Sequence, residues 1–228
     1  MPVKVVVADS PIRYLIDVSP QEGYATTVFE DMFTDVLEYF PETTGKNMVD
    51  DDVLLFDGGT DVDPALYDEK PSPFTETPNK ARDAHERAAF IRAQATGAAC
   101  IGICRGAQLL TVLSGGKLIQ HITNHNQPHH ILTSKAEQIT ANSVHHQMMW
   151  PYETDYKLLA WAPGPSESFC EYGKLFLPKV QPEVVWYPQT RSLCIQGHPE
   201  YLTEKARFYQ YCRELVKELI FKEKSSAE

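Results

Sequence analysis

The segment most typical of a reactive site is GICRG at positions 102–106. In it, a cysteine has a glycine two positions away on each side. The apolar run Ala98–Ile103 predicts a strand and Arg105–Leu113 a helix, so Cys104 falls on a strand-to-helix turn. Such a nucleophile elbow needs small residues two positions away on both sides, because larger side chains would collide with neighbouring strands. The helix N-terminus favours a thiolate at Cys104, and the Arg105 N–H would face an oxyanion. A buried structural cysteine in a glycine-rich turn is the alternative.

A second candidate group is GHPE at positions 197–200, directly after the apolar run Leu193–Gln196. A cysteine nucleophile needs a base that takes its proton and an acceptor that orients the base. His198 and Glu200, two residues apart beyond a strand end, can supply this pair. Taken alone, the segment also fits an ordinary approach to a helix.

A third group, DGG at positions 57–59, follows the buried run Val53–Phe56. Two glycines let the backbone come close to a ligand, so the Gly59 N–H is a candidate second oxyanion donor. A plain tight turn is the alternative. The acids that follow also suggest a cation loop, but the spacing lacks the glycine and terminal glutamate of an EF-hand.

Alternating strand and helix patterns position these groups. Up to Leu113, the predicted strands are Val3–Ala8, Val53–Phe56 and Ala98–Ile103. The predicted helices are Thr26–Phe40, Ala81–Thr96 and Arg105–Leu113. For the Ala81–Thr96 helix the predicted apolar face is Ala84, Ala88, Ile91 and Ala95. After Leu113, short β-like runs are predicted at Ile131–Thr133, Leu158–Trp161, Val184–Tyr187 and Leu193–Gln196. A final helix is predicted over Thr203–Phe221. We predict a three-layer α/β fold with a doubly wound, mostly parallel sheet.

Composition limits the class of protein. The 228 residues are 43% hydrophobic and carry a formal net charge of −10, which suits one domain over residues 1–228 and disfavours a nucleic-acid partner. We expect no membrane helix and no signal peptide, because the apolar runs are too short. Five cysteines without CxxC spacing indicate a reducing, cytoplasmic location. We interpret Cys100, Cys194 and Cys212 as core residues.

From about residue 53 to 200 the sequence resembles class I glutamine amidotransferase-like proteins, and within them the gamma-glutamyl-gamma-aminobutyrate hydrolases, or peptidase C26 group. Four segments carry the resemblance: residues 58–64, 102–106, 142–147 and 197–200 (GGTDVDP, GICRG, NSVHHQ and GHPE). The resemblance implies a flavodoxin-like fold and a triad that cleaves a small γ-glutamyl substrate through a glutamyl thioester. The implied triad is Cys104, His198 and Glu200, and the implied substrate-binding residues are Gln108, Ser143 and His145.

Most of the histidines, six of eight, lie between His121 and His146. Imidazoles at helical spacing can share a zinc ion. However, Pro128 and the asparagines predict a loop, and no thiol or carboxylate stands at a ligand-like interval. We interpret these histidines as polar loop residues, with His145 and His146 near the substrate, and expect no metal and no organic cofactor.

Three hypotheses about function follow. The first is a free-standing cysteine hydrolase of γ-glutamyl amides. The second is a glutaminase subunit that delivers ammonia to a separate synthetase partner, for which the segment Ala162–Pro182, longer than in the family, offers a docking surface. The third is a catalytically silent binding module on the same fold. No motif of the sequence identifies the leaving amine or the oligomeric state.

Overall fold

The computed structural model describes residues 14–17, 32, 38–40, 52–151, 154–164, 166, 168–169, 175–176 and 178–221. Within these residues, a central sheet of nine strands positions the candidate residues. One half is parallel, with the strands in the spatial order β2 (Glu38–Phe40), β1 (Tyr14–Asp17), β3 (Val53–Phe56), β4 (Ala99–Ile103) and β14 (Ser192–Ile195). The carboxyl ends of β3, β4 and β14 therefore meet at one edge.

Beyond β14 the sheet continues with antiparallel strands, in the order β13 (Val180–Tyr187), β10 (Lys157–Pro163), β7 (His129–Thr133) and β8 (Gln138–Ala141). Two small antiparallel sheets flank the central one. They consist of β5 (Lys117–Ile119) with β9 (Met148–Trp150), and of β6 (His121–Ile122), β11 (Ser168–Phe169) and β12 (Leu175–Phe176).

Three α-helices whose bounds fall within the described residues pack against this framework: α1 (Lys80–Thr96), α2 (Arg105–Leu113) and α3 (Arg207–Val216). The Asn79 side chain accepts from the Arg82 N–H at the start of α1, and Gly97 ends that helix in the left-handed conformation. Helix α3 continues into a π-helical turn, Lys217–Phe221. None of the described helices is both long and apolar enough to cross a bilayer.

The alternating side chains of the buried strands divide the core into two large apolar clusters. Leu54, Phe56 and Cys100 belong to the cluster that includes residues of α1 and α2. Val53, Leu55 and Ile101 belong to the cluster that includes residues of α3. Helices thus cover both faces, and the predicted three-layer α/β fold with a parallel sheet around Cys104 is confirmed.

Most predicted elements after residue 52 are confirmed, with small shifts at their ends. The strand predicted over Val3–Ala8 lies outside the described residues. The helix predicted over Thr26–Phe40 is wrong at its end, because Glu38–Phe40 pairs in parallel with β1. Short apolar runs fit either helix or strand, and a neighbouring strand that supplies hydrogen bonds decides between them. The last helix begins at Arg207, four residues later than predicted.

The predicted apolar face of α1 is also wrong. Ala84, Ala88, Ile91 and Ala95 are exposed, and the buried face carries Arg82, Asp83, Glu86, Ala89, Phe90 and Ala93. Alanine has little apolar surface to bury. The face that turns inward combines the ion-paired side chains with Ala89, Phe90 and Ala93, which belong to the apolar core.

Candidate active site

Cys104 lies on the turn between β4 and α2 with φ 49° and ψ −109°, a conformation that few non-glycine residues adopt. The neighbouring glycines are required by close backbone approach. A Cβ atom on Gly106 would lie 2.0 Å from the carbonyl oxygen of Phe56, and one on Gly102 would lie 2.6 Å from the backbone of the helix start. The nucleophile elbow predicted from the sequence is therefore present as a backbone geometry.

The other cysteines that the structure describes lie in a different environment. Cys100, Cys194 and Cys212 are fully buried, as predicted. Burial raises the pKa of Cys100 to about 12 and holds the pKa values of Cys194 and Cys212 well above the usual range. These thiols are poor nucleophiles at neutral pH. Cys170 lies outside the described residues.

His198 and Glu200 meet directly after β14. Nδ1 of His198 is 2.6 Å from Oε1 of Glu200, which is buried. The short helical turn Pro199–Tyr201 brings the two side chains together, and the Asn142 amide donates to the His198 carbonyl at 2.5 Å. Because a carboxylate only accepts, Nδ1 of His198 carries the hydrogen and Nε2 is left for another partner.

The charge state of His198 reflects its neighbours. Burial disfavours the imidazolium, but hydrogen bonds and charge interactions with Cys104 and Glu200 outweigh burial and raise the pKa of His198 to about 10. The ring of His198 also stacks on that of Tyr201, with the centroids 5.1 Å apart. At neutral pH the imidazole is thus protonated.

Cys104 and His198 face a common cleft of about 350 Å³. The cleft is lined by Asp57, Gly58, Gly59, Thr60, Glu76, Cys104, Val144, His198 and Tyr201. A Cβ atom on Gly58 would lie 3.2 Å from Cε1 of His198 and 3.9 Å from Cβ of Cys104, so the glycine loop runs beside both side chains. Tyr201 and Glu76 carried no signal in the sequence analysis, because nothing in their local sequence placed them at this edge.

Helix α1 contacts and orients the loop formed by Asp57, Gly58 and Gly59. The carboxylate of Asp57 accepts from the Gly58 N–H at 2.6 Å, and Nη2 of Arg82 donates to the Asp57 and Gly58 carbonyls at 3.2 and 2.8 Å. Gly59 has φ +149°, and a Cβ atom there would lie 2.2 Å from Nη1 of Arg82. Arg82 thus packs against the backbone of this loop, and a side chain at position 59 would require the Arg82 guanidinium to move.

A buried ionic network joins this loop to the elbow. The guanidinium of Arg105 pairs with both Asp83 and Glu86, and Glu86 also accepts from Nε of Arg82 at 2.8 Å. Burial raises the pKa of Asp83 although Arg105 acts in the opposite direction. The sequence analysis missed this network, although Arg82 and Glu86 stand one helical turn apart.

None of the three residues predicted to bind substrate is among those that line the cleft. Gln108 donates to the Gln147 carbonyl at 3.1 Å, Nδ1 of His145 lies 2.8 Å from the same oxygen, and the Ser143 hydroxyl donates to the His125 carbonyl. These bonds hold the segment that presents Val144, 67% exposed, to the cleft. Substrate contact by the three residues remains a prediction.

Comparison with solved structures defines the class of fold. A glutamine amidotransferase of Thermotoga maritima superimposes with a TM-score of 0.53 over 95% of this chain and 86% of that one, at 14% identity. The glutaminase domain of Trypanosoma brucei CTPS superimposes with a TM-score of 0.54 over 90% and 93%, at 12% identity. The fold is that of the class I glutamine amidotransferases.

Sequence comparison identifies the family. The Peptidase C26 family model matches residues 38–169, more than half of the chain. A Mycobacterium tuberculosis protein that is provisionally named a glutamine amidotransferase is 43% identical over 82 residues. These residues are 36% of this chain but only 27% of that protein. A glutamine amidotransferase-like protein of Lactococcus lactis, the YvdE homolog, is 33% identical over 59% of this chain and 79% of its own length. The chain belongs to the Peptidase C26 family.

Proposed function

We propose that this protein is a cysteine hydrolase of γ-glutamyl amide bonds. The observation that supports it best is the arrangement around the cleft: Cys104 on a strained elbow, beside a His198 that is oriented by a buried Glu200. Membership of the Peptidase C26 family supports the same C–N bond chemistry. Residues 1–228 are proposed to form one domain that carries the whole site.

In the proposed reaction the Cys104 thiolate attacks the γ-carbonyl carbon, a C–S bond forms, and the carbonyl oxygen becomes an oxyanion. The N–H groups of Gly59 and Arg105 stabilise this oxygen. The His198 imidazolium gives its proton to the leaving nitrogen, the C–N bond breaks, and the amine departs. Neutral His198 then takes a proton from water, which attacks the thioester and releases glutamate and the thiolate. The nucleophile, the acid and the base all come from side chains, so the proposed reaction needs no cofactor.

The carboxylates of Asp57 and Glu76 line the same cleft. They place negative charge beside the scissile bond and favour substrates that carry a cation there, either the α-ammonium of the glutamyl group or an ammonium on the leaving amine. Both readings agree with a small γ-glutamyl substrate.

The second candidate is a glutaminase that works with a synthetase. It is favoured by the likeness in fold to the glutaminase domain of Trypanosoma brucei CTPS. In this case glutamine is the substrate and the released ammonia passes to a partner. The segment Ala162–Pro182, predicted as the docking surface, is only partly described, so its part in such contact stays a prediction.

The test is glutamate release from a panel of γ-glutamyl amides, glutamine included, with Cys104→Ala and Cys100→Ala compared. Cys100 lies four residues earlier on the adjoining strand and is fully buried, so it controls for loss of a thiol in this part of the core. We expect release to fall at least about 10³-fold in Cys104→Ala and to persist in Cys100→Ala. No release from any amide by a folded protein whose Cys104 still alkylates would contradict the free-standing hydrolase and favour the glutaminase subunit.

A further inference from the structure

Three imidazoles converge on one carboxylate that does not line the cleft. Nδ1 of His125, Nε2 of His129 and Nε2 of His145 lie 3.0, 3.1 and 3.7 Å from Oε1 of Glu183. Glu183 is 0% exposed, His125 2% and His145 3%. His125 and His145 lie in loop segments, as expected, but both are buried, whereas His121, His129 and His130 lie in strands and not in the predicted loop. The three imidazoles reach this position because β7, β13 and the 142–147 segment come together in the folded chain.

The other nitrogen of each ring faces an amide oxygen. Nδ1 of His129 is 3.2 Å from the Gln127 carbonyl, and Nδ1 of His145 is 2.8 Å from the Gln147 carbonyl. Nε2 of His125 is 2.5 Å from Oε1 of Gln181, and that amide is oriented because its Nε2 donates to the Gly164 carbonyl. An amide oxygen only accepts, so the outer nitrogens of His125 and His145 carry the ring hydrogen. His129 lies between two acceptors, the Gln127 carbonyl and Oε1 of Glu183, and its Nε2 can bind a metal in the tautomer with the hydrogen on Nδ1. In the neutral imidazole the inner nitrogen then has a lone pair.

Three of the inner atoms lack the hydrogen bonds that burial demands, whereas Nε2 of His129 lies within hydrogen-bond distance of Oε1 of Glu183, at 3.1 Å. Over the described ranges, Nδ1 of His125, Nε2 of His145 and Oε2 of Glu183 have no hydrogen-bond partner. Nδ1 of His125 is close to Glu183, but its geometry is not that of a hydrogen bond. Lone pairs and a carboxylate facing one another in the core repel unless positive charge lies between them.

We propose that His125, His129 and Glu183 bind a divalent first-row transition metal ion such as Zn²⁺, with Nε2 of His145 as the further donor. The ligand atoms of the first three residues all lie within 4.8 Å of one another. Tetrahedral zinc with bonds of about 2.0 Å separates its ligand atoms by about 3.3 Å, and the contacts to Glu183 bracket this value. Imidazoles whose outer N–H donates to a carbonyl oxygen are the usual outer support of such a site.

The ion ties together three segments of the chain: the start of β7, the strand β13 and the segment that contains His145. Val144, the neighbour of His145, forms one wall of the cleft. A bound ion therefore anchors that wall from behind and takes no part in the acyl transfer. The proposed metal site goes beyond the proposed hydrolysis, and binding of the metal can be measured without any substrate.

The test is Zn²⁺ binding by the full chain in a Cys104→Ala background, which removes the thiol that lines the cleft as a competing ligand. The chelator-treated protein is titrated calorimetrically, and the retained metal is counted by mass spectrometry after dialysis. His129→Gln removes a ligand whose side chain is 16% exposed, which limits the damage to folding. His130→Gln is the matched control, because His130 is the adjacent, exposed histidine and bonds only to Thr140 in the described structure.

We expect one Zn²⁺ per chain in the parent and in His130→Gln, and affinity at least about 100-fold weaker in His129→Gln. Glu183→Gln, checked for folding by circular dichroism, is expected to lose binding as well. Failure of the parent to retain Zn²⁺ would overturn the proposal. Equal binding by His129→Gln and His130→Gln would overturn it too, because the ion would then occupy another site.

Discussion

Nη2 of Arg82 donates to the carbonyl oxygen of Gly58 at 2.8 Å, which connects helix α1 to the loop beside Cys104. The same guanidinium donates through Nε to Glu86, and Glu86 pairs with Arg105 on the elbow. The two backbone segments proposed to form the oxyanion hole are therefore joined through buried ion pairs. Their relative position depends on side chains that touch no substrate.

The first prediction concerns this connection. Arg82→Lys keeps a positive charge but lacks the planar fork that reaches two carbonyls and Glu86. We expect kcat to fall about 10- to 100-fold with a smaller change in KM, because the oxyanion donors are displaced while the thiol remains. Steady-state kinetics and the rate of Cys104 alkylation measure the two effects. Arg87→Lys, an exposed position on the same helix, is the control; equal kinetics in both variants would count against a positioning role for Arg82.

The second prediction is a pH dependence. Contacts with Cys104 and Glu200 raise the pKa of His198 to about 10 despite its burial. If the imidazolium protonates the leaving amine, kcat/KM falls as the pH rises through about 10. Glu200→Gln removes a negative charge that stabilises the imidazolium, so the alkaline fall moves to lower pH. An unchanged alkaline limb in a folded Glu200→Gln protein would rule out this role of Glu200.

The third prediction concerns the effect of the raised His198 pKa on the stability of the folded protein. A pKa raised from the usual 6.5 means that the folded state holds the proton more tightly than the unfolded chain. Protonation of His198 therefore contributes stability that is complete below about pH 6.5 and is lost as the pH rises through about 10. We expect the difference in free energy of unfolding between the wild type and His198→Gln to shrink over this range. Urea unfolding at several pH values measures it, and a difference independent of pH would refute the shift.

The fourth prediction concerns the elbow backbone. Gly106→Ala places a Cβ atom 2.0 Å from the Phe56 carbonyl oxygen, so β3 or α2 has to move. We expect a loss of about 3 kcal/mol or more in the free energy of unfolding. Gly164→Ala is the control, since its φ is +96° but no atom lies within 4 Å of the new Cβ among the described residues. It isolates the conformational cost of about 1–2 kcal/mol, and similar losses in both variants would show that the contact at Gly106 is relieved.

The fifth prediction tests the charge of the cleft. Glu76→Gln neutralises an exposed carboxylate of its lining. We expect kcat/KM to fall about two- to fivefold for γ-glutamyl diamines and less for glutamine, because an exposed charge contributes modestly. Glu204→Gln, an exposed position that does not line the cleft, is the control. Equal effects on both substrates would place the leaving amine away from Glu76.

The sequence by itself determined the features that depend on neighbours along the chain. Gly102 and Gly106 around Cys104 are dictated by a turn of five residues, and the buried strands at Val53–Phe56 and Ala99–Ile103 follow from continuous apolar runs. The pairing of His198 with Glu200 is likewise local, since only Pro199 separates them. These steric and periodic rules operate over a few residues, so they can be read without the fold.

Only the tertiary structure decided which distant groups meet. The face of α1 that turns inward was not the predicted one, because Arg105, about 20 residues later, is the buried partner of Asp83 and Glu86. His125 and Glu183 are 58 residues apart and come together because β7 and β13 both flank β10 in the sheet. Buried charges and imidazoles are stabilised by partners that lie at irregular distances along the sequence, so no periodic pattern reveals them. Such contacts exist only once the sheet has assembled.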